Sequence, residues 1–342
     1  MIITVTPNPA VDRTYEVGTL QLGEVQRAAA VYQDAGGKGV NIARALHLYG
    51  VDTVAVFPAG GASGAELVTM LRHLGVSVVS IPVANETRSN ITIADDGGNT
   101  TKLNAPGSAL SPEAADTLIE AVVEQIRMAK QRGTKAAGSE APVQPIVVGA
   151  GSLPDGTDPA FYARLAQAAI AEGALIAIDT AGEPLSRAVT SGGLAVVKPN
   201  LAELTELAHR PLTTVGEVVA TSRGIIGQGN EGIIGQGNEQ VLVTLGAAGA
   251  ILVTADTWWW AGGQPLTARS TVGAGDLTLA GYLAAAQAGA DLPTALQIAV
   301  AWGRAAVLEP GTRIPAPTAI KVDQVQVVAE PDPGTVLDDS RA

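Results

Sequence analysis

Short, almost wholly apolar runs recur along this chain, separated by Ala- and Leu-rich stretches long enough to be helices. The runs are IITVT (2–6), TVAVF (53–57), PIVVG (145–149), LIAID (175–179), AVVK (195–198) and VLVT (241–244). A strand with one wet face alternates polar and apolar residues, and these do not. Each is therefore expected to be buried on both faces. Buried strands joined by helical crossovers build a mainly parallel sheet sandwiched between helices, an α/β (αβα) fold. Helical patterning is expected over 38–49, 62–74, 111–130, 158–171 and 275–288.

Two regions depart from that rhythm. Residues 13–34 and 85–104 carry polar/apolar alternation without room for a full helix, as in NITIADDGGNTTKLN. They are expected to form a small second sheet, with DDGGN (95–99) as a hairpin turn. QRGTKAAGSEAPVQP (131–145) reads as an exposed loop. GIIGQGNE occurs twice in tandem, at 224–231 and 232–239. The second copy reads as a local duplication lengthening a surface loop, since doubling a loop costs only ~0.6 kcal/mol in closure entropy. In TWWW (257–260), alternation puts Trp258 and Trp260 on one face of an edge strand and Trp259 on the other. The expected organisation is one domain over 1–325 with a C-terminal tail, 326–342.

Composition narrows the partners. A formal charge of −12 argues against nucleic acid or an anionic membrane, so an anionic ligand would need a few local cations. The chain has no cysteine, which excludes disulfides and thiolate metal sites and suits a reducing cytoplasm. MIITVTPNP reads as a first strand and not a signal peptide. No apolar run approaches the ~20 residues of a membrane span.

Several glycine-rich stretches compete for the role of ligand loop. VVGAGSLP places Gly149 and Gly151 after a strand, but Pro154 stands where a dinucleotide fingerprint needs its third glycine. GGKG (36–39) lacks the preceding strand and following Ser/Thr of a P-loop. Gly37, Lys38 and Asn41 nonetheless set bare backbone, a cation and an amide near a helix start, which suits a hydroxylated or phosphorylated ligand. His47, His73 and His209 show no ligand spacing.

STVGAGD (270–276) is more telling, because its glycine turn ends in an acid. The amides of Gly273, Ala274 and Gly275 would face the space before the helix, with its positive dipole end behind them. Such donors stabilise charge developing on a phosphoryl group in transit. Asp276, in the first turn, would be favoured as an anion there and accept the proton of an attacking hydroxyl. A helix cap is the other role open to it.

These stretches together resemble the ribokinase-like (PfkB) sugar kinases, whose C-terminal signature is close to D-T-x-G-A-G-D. Within that family the chain looks most like the branch of 1-phosphofructokinase and tagatose-6-phosphate kinase. TPNPAVD (6–12), GGKGVN (36–41), TRSN (87–90) with KLNAPG (102–107), GAGSLP (149–154), KPNLAE (198–203) and TLGAAGA (244–250) follow that family's motifs in order. The resemblance implies a ribokinase-like fold whose small sheet is a lid, and an ATP- and Mg²⁺-dependent kinase for a sugar phosphate. The acceptor it implies first is fructose 1-phosphate, with fructose 6-phosphate and tagatose 6-phosphate as alternatives. A sensor that kept the fold without turnover is the competing class. Asp276 would be the base and Gly273–Gly275 the anion hole. Asp12 and Asn41 would hold sugar hydroxyls; Gly37, Lys38, Arg88, Lys102 and Ser152 would line the sugar-phosphate site. Lys198, Asn200, Thr244, Gly246 and Gly249 would line the ATP site, and Glu203 would organise Mg²⁺ through water. Trp302 is a candidate for the adenine side. The resemblance implies a cytoplasmic protein and a homodimer paired through the lid. Gly36, where the branch often has alanine, and Ala150, in place of the first serine of S-G-S-L-P, depart from the pattern.

Overall fold

The structure is a computed structural model; it describes the chain except residues 98, 137–143, 228–236 and 338–342. The buried runs become the parallel core of a ten-stranded sheet. From one edge it runs β5 (Ser77–Pro82), β4 (Thr53–Ala59), β1 (Ile2–Val5), β8 (Ile146–Ala150), β9 (Leu175–Asp179), β10 (Val196–Val197) and β11 (Val241–Thr244), all parallel. Three antiparallel strands complete it: β12 (Ala250–Val253), β13 (Trp258–Gly262) and β14 (Gln326–Ala329).

Successive side chains of β1 enter different cores, as the two-residue period of a strand demands. Ile3 and Val5 pack with Leu118 and Val122 of α3 (Pro112–Ala136) and Leu165 of α4 (Phe161–Ala171). The same layer holds α5 (Gly182–Ser191), α6 (Leu201–Ala208) and α7 (Val215–Ile226). Ile2 turns the other way, toward Ile42 and Leu46 of α1 (Lys38–Leu48) and helices α8 (Ala274–Gln287) and α9 (Leu292–Ala306). α2 (Gly61–His73) joins that layer through Leu67 and Leu71, packed with Ala55 and Phe57 of β4.

The second sheet has the order β3 (Ala30–Gly36), β2 (Ala10–Val17), β6 (Arg88–Asp95) and β7 (Thr100–Leu103). β2 pairs antiparallel to β3 and parallel to β6. Its register sets Asp12 between Asp34 and Asn90. The expected small sheet is thus present and begins earlier than the sequence suggested, at Ala10.

Some boundaries differ. α3 continues to Ala136, six residues into the expected loop, because Gln131, Arg132 and Lys135 suit a helix as well as a turn; 137–143 lie outside the described residues. The first GIIGQGNE begins as the last residues of α7, and most of the duplication lies outside the described residues. The tryptophan strand is not an edge. Residues 326–329, expected within a tail, pair along it and take that place. The expected alternation holds: Trp258 and Trp260 meet one core and Trp259 the other. Trp302 is only 6% exposed, with its ring centroid 3.9 Å from that of Tyr49 and its face against Gly281. It is a core residue, not a ligand platform.

Candidate active site

Parallel strands end together, and the segments leaving β1, β8, β9, β10 and β11 converge at their carboxyl edge, where open α/β sheets bind ligands. The small sheet, expected as a lid, stems from that edge, since β2 follows β1 after four residues.

α8 begins there without a cap. Gly273, at φ 78°, turns the chain into the helix, and no side chain accepts from the first amides. The first N–H groups of a helix have no partner within it, so those of Gly273–Gly275 have no acceptor within α8 and none from a capping side chain. Asp276, one residue on, is 6% exposed. Its Oδ2 accepts from Asn41 Nδ2 at 2.9 Å. Burial, and then the neighbouring Asp179, push its carboxyl up to about 6, against the pull of Lys38, Asn41 and Lys198. The anionic form is thus less favoured than in an exposed aspartate, with desolvation as the leading cause.

Asp179, the last residue of β9, was not singled out in the sequence. It is fully buried and pairs with two lysines, Lys38 Nζ at 2.7 Å from Oδ1 and Lys198 Nζ at 3.2 Å from Oδ2. Burial alone would raise Asp179, but Lys198 and Lys38 outweigh it and hold it below the usual carboxylate range. Lys38 is pushed the other way by the same pairing. Burial lowers it, while Asp179, Asp276 and Glu203 together raise it above the ordinary lysine range. Lys198 also abuts the glycine turn, with Nζ 3.4 Å from where a Cβ on Gly275 would sit. The signal for Asp179 was legible in principle: a lone acid closing the apolar run LIAID.

Lys38 is aimed by its loop. Gly37, at φ 110°, has Thr6 Cγ2 only 2.8 Å from any Cβ it would carry. Beyond it, Asn8 ties the neighbouring loops together. Asn8 donates Nδ2 to the Pro106 carbonyl at 3.0 Å and to Ser152 Oγ at 3.4 Å, and its own carbonyl accepts from Arg88 Nη2 at 3.0 Å. Arg88 gives Nη1 to the Ala105 carbonyl at 2.8 Å. Lys38, Ser152 and Arg88 therefore stand on adjoining segments. Asp12 accepts from Asn90 Nδ2 at 2.9 Å, and burial leads in raising its carboxyl. Lys102 lies on β7 at the exposed rim of the lid; desolvation lowers it and Asp12 opposes that.

The remaining expected positions fall on the other side of Asp179. Asn200 and Glu203 form a capping box at the start of α6, each accepting from the other's backbone N–H at 2.8 Å. Glu203 keeps Oε1 toward the cleft, 3.7 Å from Lys38 Nζ. Thr244 bridges Asn200 across the sheet edge. Gly246 opens a short turn after β11. Gly249 stands apart: at φ 91°, a Cβ there would come 2.0 Å from the Ala261 carbonyl, so its lack of a side chain serves the approach of β13.

Donors for an anion in flight, a carboxylate for a hydroxyl proton and a sheet to cover both are the requirements of transfer to an alcohol. This fold and cleft define a carbohydrate kinase. The chain belongs to the pfkB family of carbohydrate kinases, whose profile matches residues 5–319. It is 35% identical over 320 residues to 1-phosphofructokinase of Rhodobacter capsulatus, covering 92% of this chain and 93% of that protein. It is 32% identical over 315 residues to ATP-dependent 6-phosphofructokinase isozyme 2 of Escherichia coli K12, covering 92% and 94%. The crystal structure of Escherichia coli phosphofructokinase-2 with substrates and products superposes with a TM-score of 0.82 at 30% identity, covering 93% of this chain and 96% of that one.

Proposed function

We propose that this chain is an ATP-dependent sugar-phosphate kinase that phosphorylates fructose 1-phosphate on its 6-hydroxyl, giving fructose 1,6-bisphosphate. The observation that carries the kinase chemistry is Asp276, one oxygen held by Asn41, directly under the uncapped start of α8. The hydroxyl oxygen attacks the γ-phosphorus while the bond to the ADP oxygen breaks, and the hydroxyl proton passes to Asp276. The amides of Gly273–Gly275 meet the oxygens of the phosphoryl group. Losing one such donor costs on the order of 10²–10³ in rate. Lys38, Arg88, Ser152 and Lys102 hold the phosphate already on the sugar, and Asp12 with Asn41 its hydroxyls.

Lys198, Asn200, Thr244 and Gly246 line the nucleotide side. Mg²⁺ accompanies the nucleotide in this chemistry and neutralises charge on its β- and γ-phosphates. Among the described residues no cluster of three ligating side chains exists. Both oxygens of Asp179 face lysines, whereas Glu203 Oε1 faces the cleft. These residues fit an ion that keeps its waters, with Glu203 acting through one of them.

The acceptor is read from TPNPAVD and GGKGVN, which follow the 1-phosphofructokinase branch, and from the Rhodobacter capsulatus relative. The Escherichia coli isozyme 2 resemblance favours fructose 6-phosphate as a second reading. A panel of fructose 1-phosphate, fructose 6-phosphate, tagatose 6-phosphate and free sugars at fixed Mg-ATP separates them by kcat/KM. Free ribose or adenosine as the best acceptor would refute the sugar-phosphate assignment.

The lid supports a homodimer. Leu22 and Val25 between β2 and β3 are 91% and 96% exposed, and Val31 and Leu103 lie exposed on its outer strands. Sedimentation of wild type and Leu22→Asp tests that pairing. Among the described residues no helix is long and apolar enough to cross a membrane. The family match supports placing the protein in the cytoplasm.

A further inference from the structure

Arg44 has no part in the chemistry above, yet it is the most heavily committed arginine near the cleft. It is 8% exposed, on the face of α1 toward the lid. Its Nη1 donates to the Ala35 carbonyl at 2.8 Å and its Nη2 to Asp34 Oδ1 at 3.0 Å, both on β3. Nη1 also lies 3.4 Å from the Thr312 carbonyl, beyond α9, and 3.4 Å from Asn41 Oδ1. Burying a guanidinium is costly unless its donors are paired; both Nη groups of Arg44 are, while its Nε is buried without a partner. Packing alone would be served as well by an apolar residue.

The contact with Asn41 has a directional consequence. Arginine only donates, and an amide accepts at one end and donates at the other. Facing Arg44, Asn41 must present Oδ1 there and Nδ2 to Asp276, where the 2.9 Å bond lies. That bond occupies Asp276 Oδ2 and leaves Oδ1 for the acceptor hydroxyl. At its other end the guanidinium holds Asp34, which stands opposite Asp12 in the β2–β3 register. Lid strand, guanidinium, amide and carboxyl form one chain of contacts, from β3 through the adjoining α1 to α8, 235 positions further along the chain.

We propose that Arg44 is a positioning residue that couples the seating of the lid on the cleft to the aim of Asp276, through Asn41. This rests on the kinase reading given above. With the lid seated, Asp34 and the Ala35 carbonyl fix the guanidinium, and the guanidinium fixes the amide. With the lid lifted, Asn41 loses its orienting partner and the base loses its aim. Transfer to water in the open cleft is thereby disfavoured.

The test uses Arg44→Lys, Asp34→Asn and the double variant, with kcat, both KM values and hydrogen exchange. A lysine reaches the lid or Asn41 but not both, so Arg44→Lys is expected to lose about ten- to a hundredfold in kcat with nucleotide KM within about twofold. Asp34→Asn, at a half-exposed position, is expected to lose about three- to tenfold in kcat. The double variant should be no worse than Arg44→Lys by more than about twofold, because both cut one link. Losses that multiply, or wild-type kcat in Asp34→Asn, would overturn the proposal; the latter decides even if Arg44→Lys does not fold. Hydrogen exchange supplies an arm independent of turnover: Asp34→Asn should accelerate exchange in 30–36 and also at the start of α8. Acceleration confined to 30–36 refutes the coupling. A wild type inert toward every sugar on the panel refutes the kinase reading instead.

Discussion

Asn41 Nδ2 and Asp276 Oδ2 meet at 2.9 Å although 235 positions separate them in the chain. One belongs to α1, directly after β3, the other to α8, the helix that follows the glycine turn. Their bond fixes the Asp276 carboxyl relative to α1.

Asp276→Asn is expected to lower kcat about 10²–10⁴-fold, the usual worth of a positioned general base. Nucleotide binding, followed by calorimetry, should change little. A carboxyl held at about 6 when folded and near 3.8 when unfolded binds more protons in the native state between those values. Its contribution is therefore favourable at low pH and lost as pH rises toward 6. The asparagine variant should melt no lower than wild type at pH 7.5 and could only gain there. A fall in melting temperature with retained turnover would refute both roles.

The same carboxyl sets an acid limb. Only the ionised form accepts a proton, so kcat/KM should fall tenfold per pH unit below about 6. Asp179 is a cause of the elevation second only to burial, so Asp179→Asn should move that limb to lower pH. It also leaves two lysines without their shared partner, at a cost of about 3–5 kcal/mol for a broken buried pair. Urea titration and a pH–rate profile of the same variant measure the two effects separately.

Arg88→Met should act on binding more than on turnover. Loss of a hydrogen bond to a charged group is worth about 1.5–3 kcal/mol, a ten- to 150-fold rise in KM for the sugar phosphate. Activity toward the free sugar should fall less, through the lost ties to the Ala105 and Asn8 carbonyls alone, since that acceptor has no phosphate to lose. Equal losses on both acceptors would place Arg88 elsewhere in the mechanism.

Gly36→Ala tests the reason for a departure visible in the sequence. A Cβ at this position would lie 2.2 Å from Asp12 Oδ2. The variant is expected to displace the Asp12 carboxylate and raise sugar KM several-fold, with nucleotide KM unaltered. Unchanged sugar KM would separate Asp12 from acceptor binding.

Six of the seven parallel strands were legible because burial on both faces leaves an unbroken apolar run; β5, at the sheet edge with both its ends exposed, was not. The lid was legible from a change in period, and STVGAGD from an acid following bare backbone. β14 escaped because QVVA is too short and mostly exposed to stand out, and its pairing partner, β13, ends 64 positions earlier. At the start of α6 the letters serve two readings, because Asn200 and Glu203 form both its capping box and the candidate metal motif.

What the sequence determined by itself is local: which segments are strands and helices, and which residue types stand at the ends of strands and the starts of helices. Those follow from period, burial and backbone freedom, all properties of neighbours in the chain. Only the tertiary structure decided the electrostatics. Asp179 became the shared partner of Lys38 and Lys198 because three segments converge at one sheet edge. Asp276 was raised toward 6 rather than lowered by its helix because that convergence excludes water and adds a second acid. Arg44 reached the lid and Asn41 together only once α1 lay beneath β3. Charge interactions depend on distance and desolvation, and neither is defined until the chain has closed on itself.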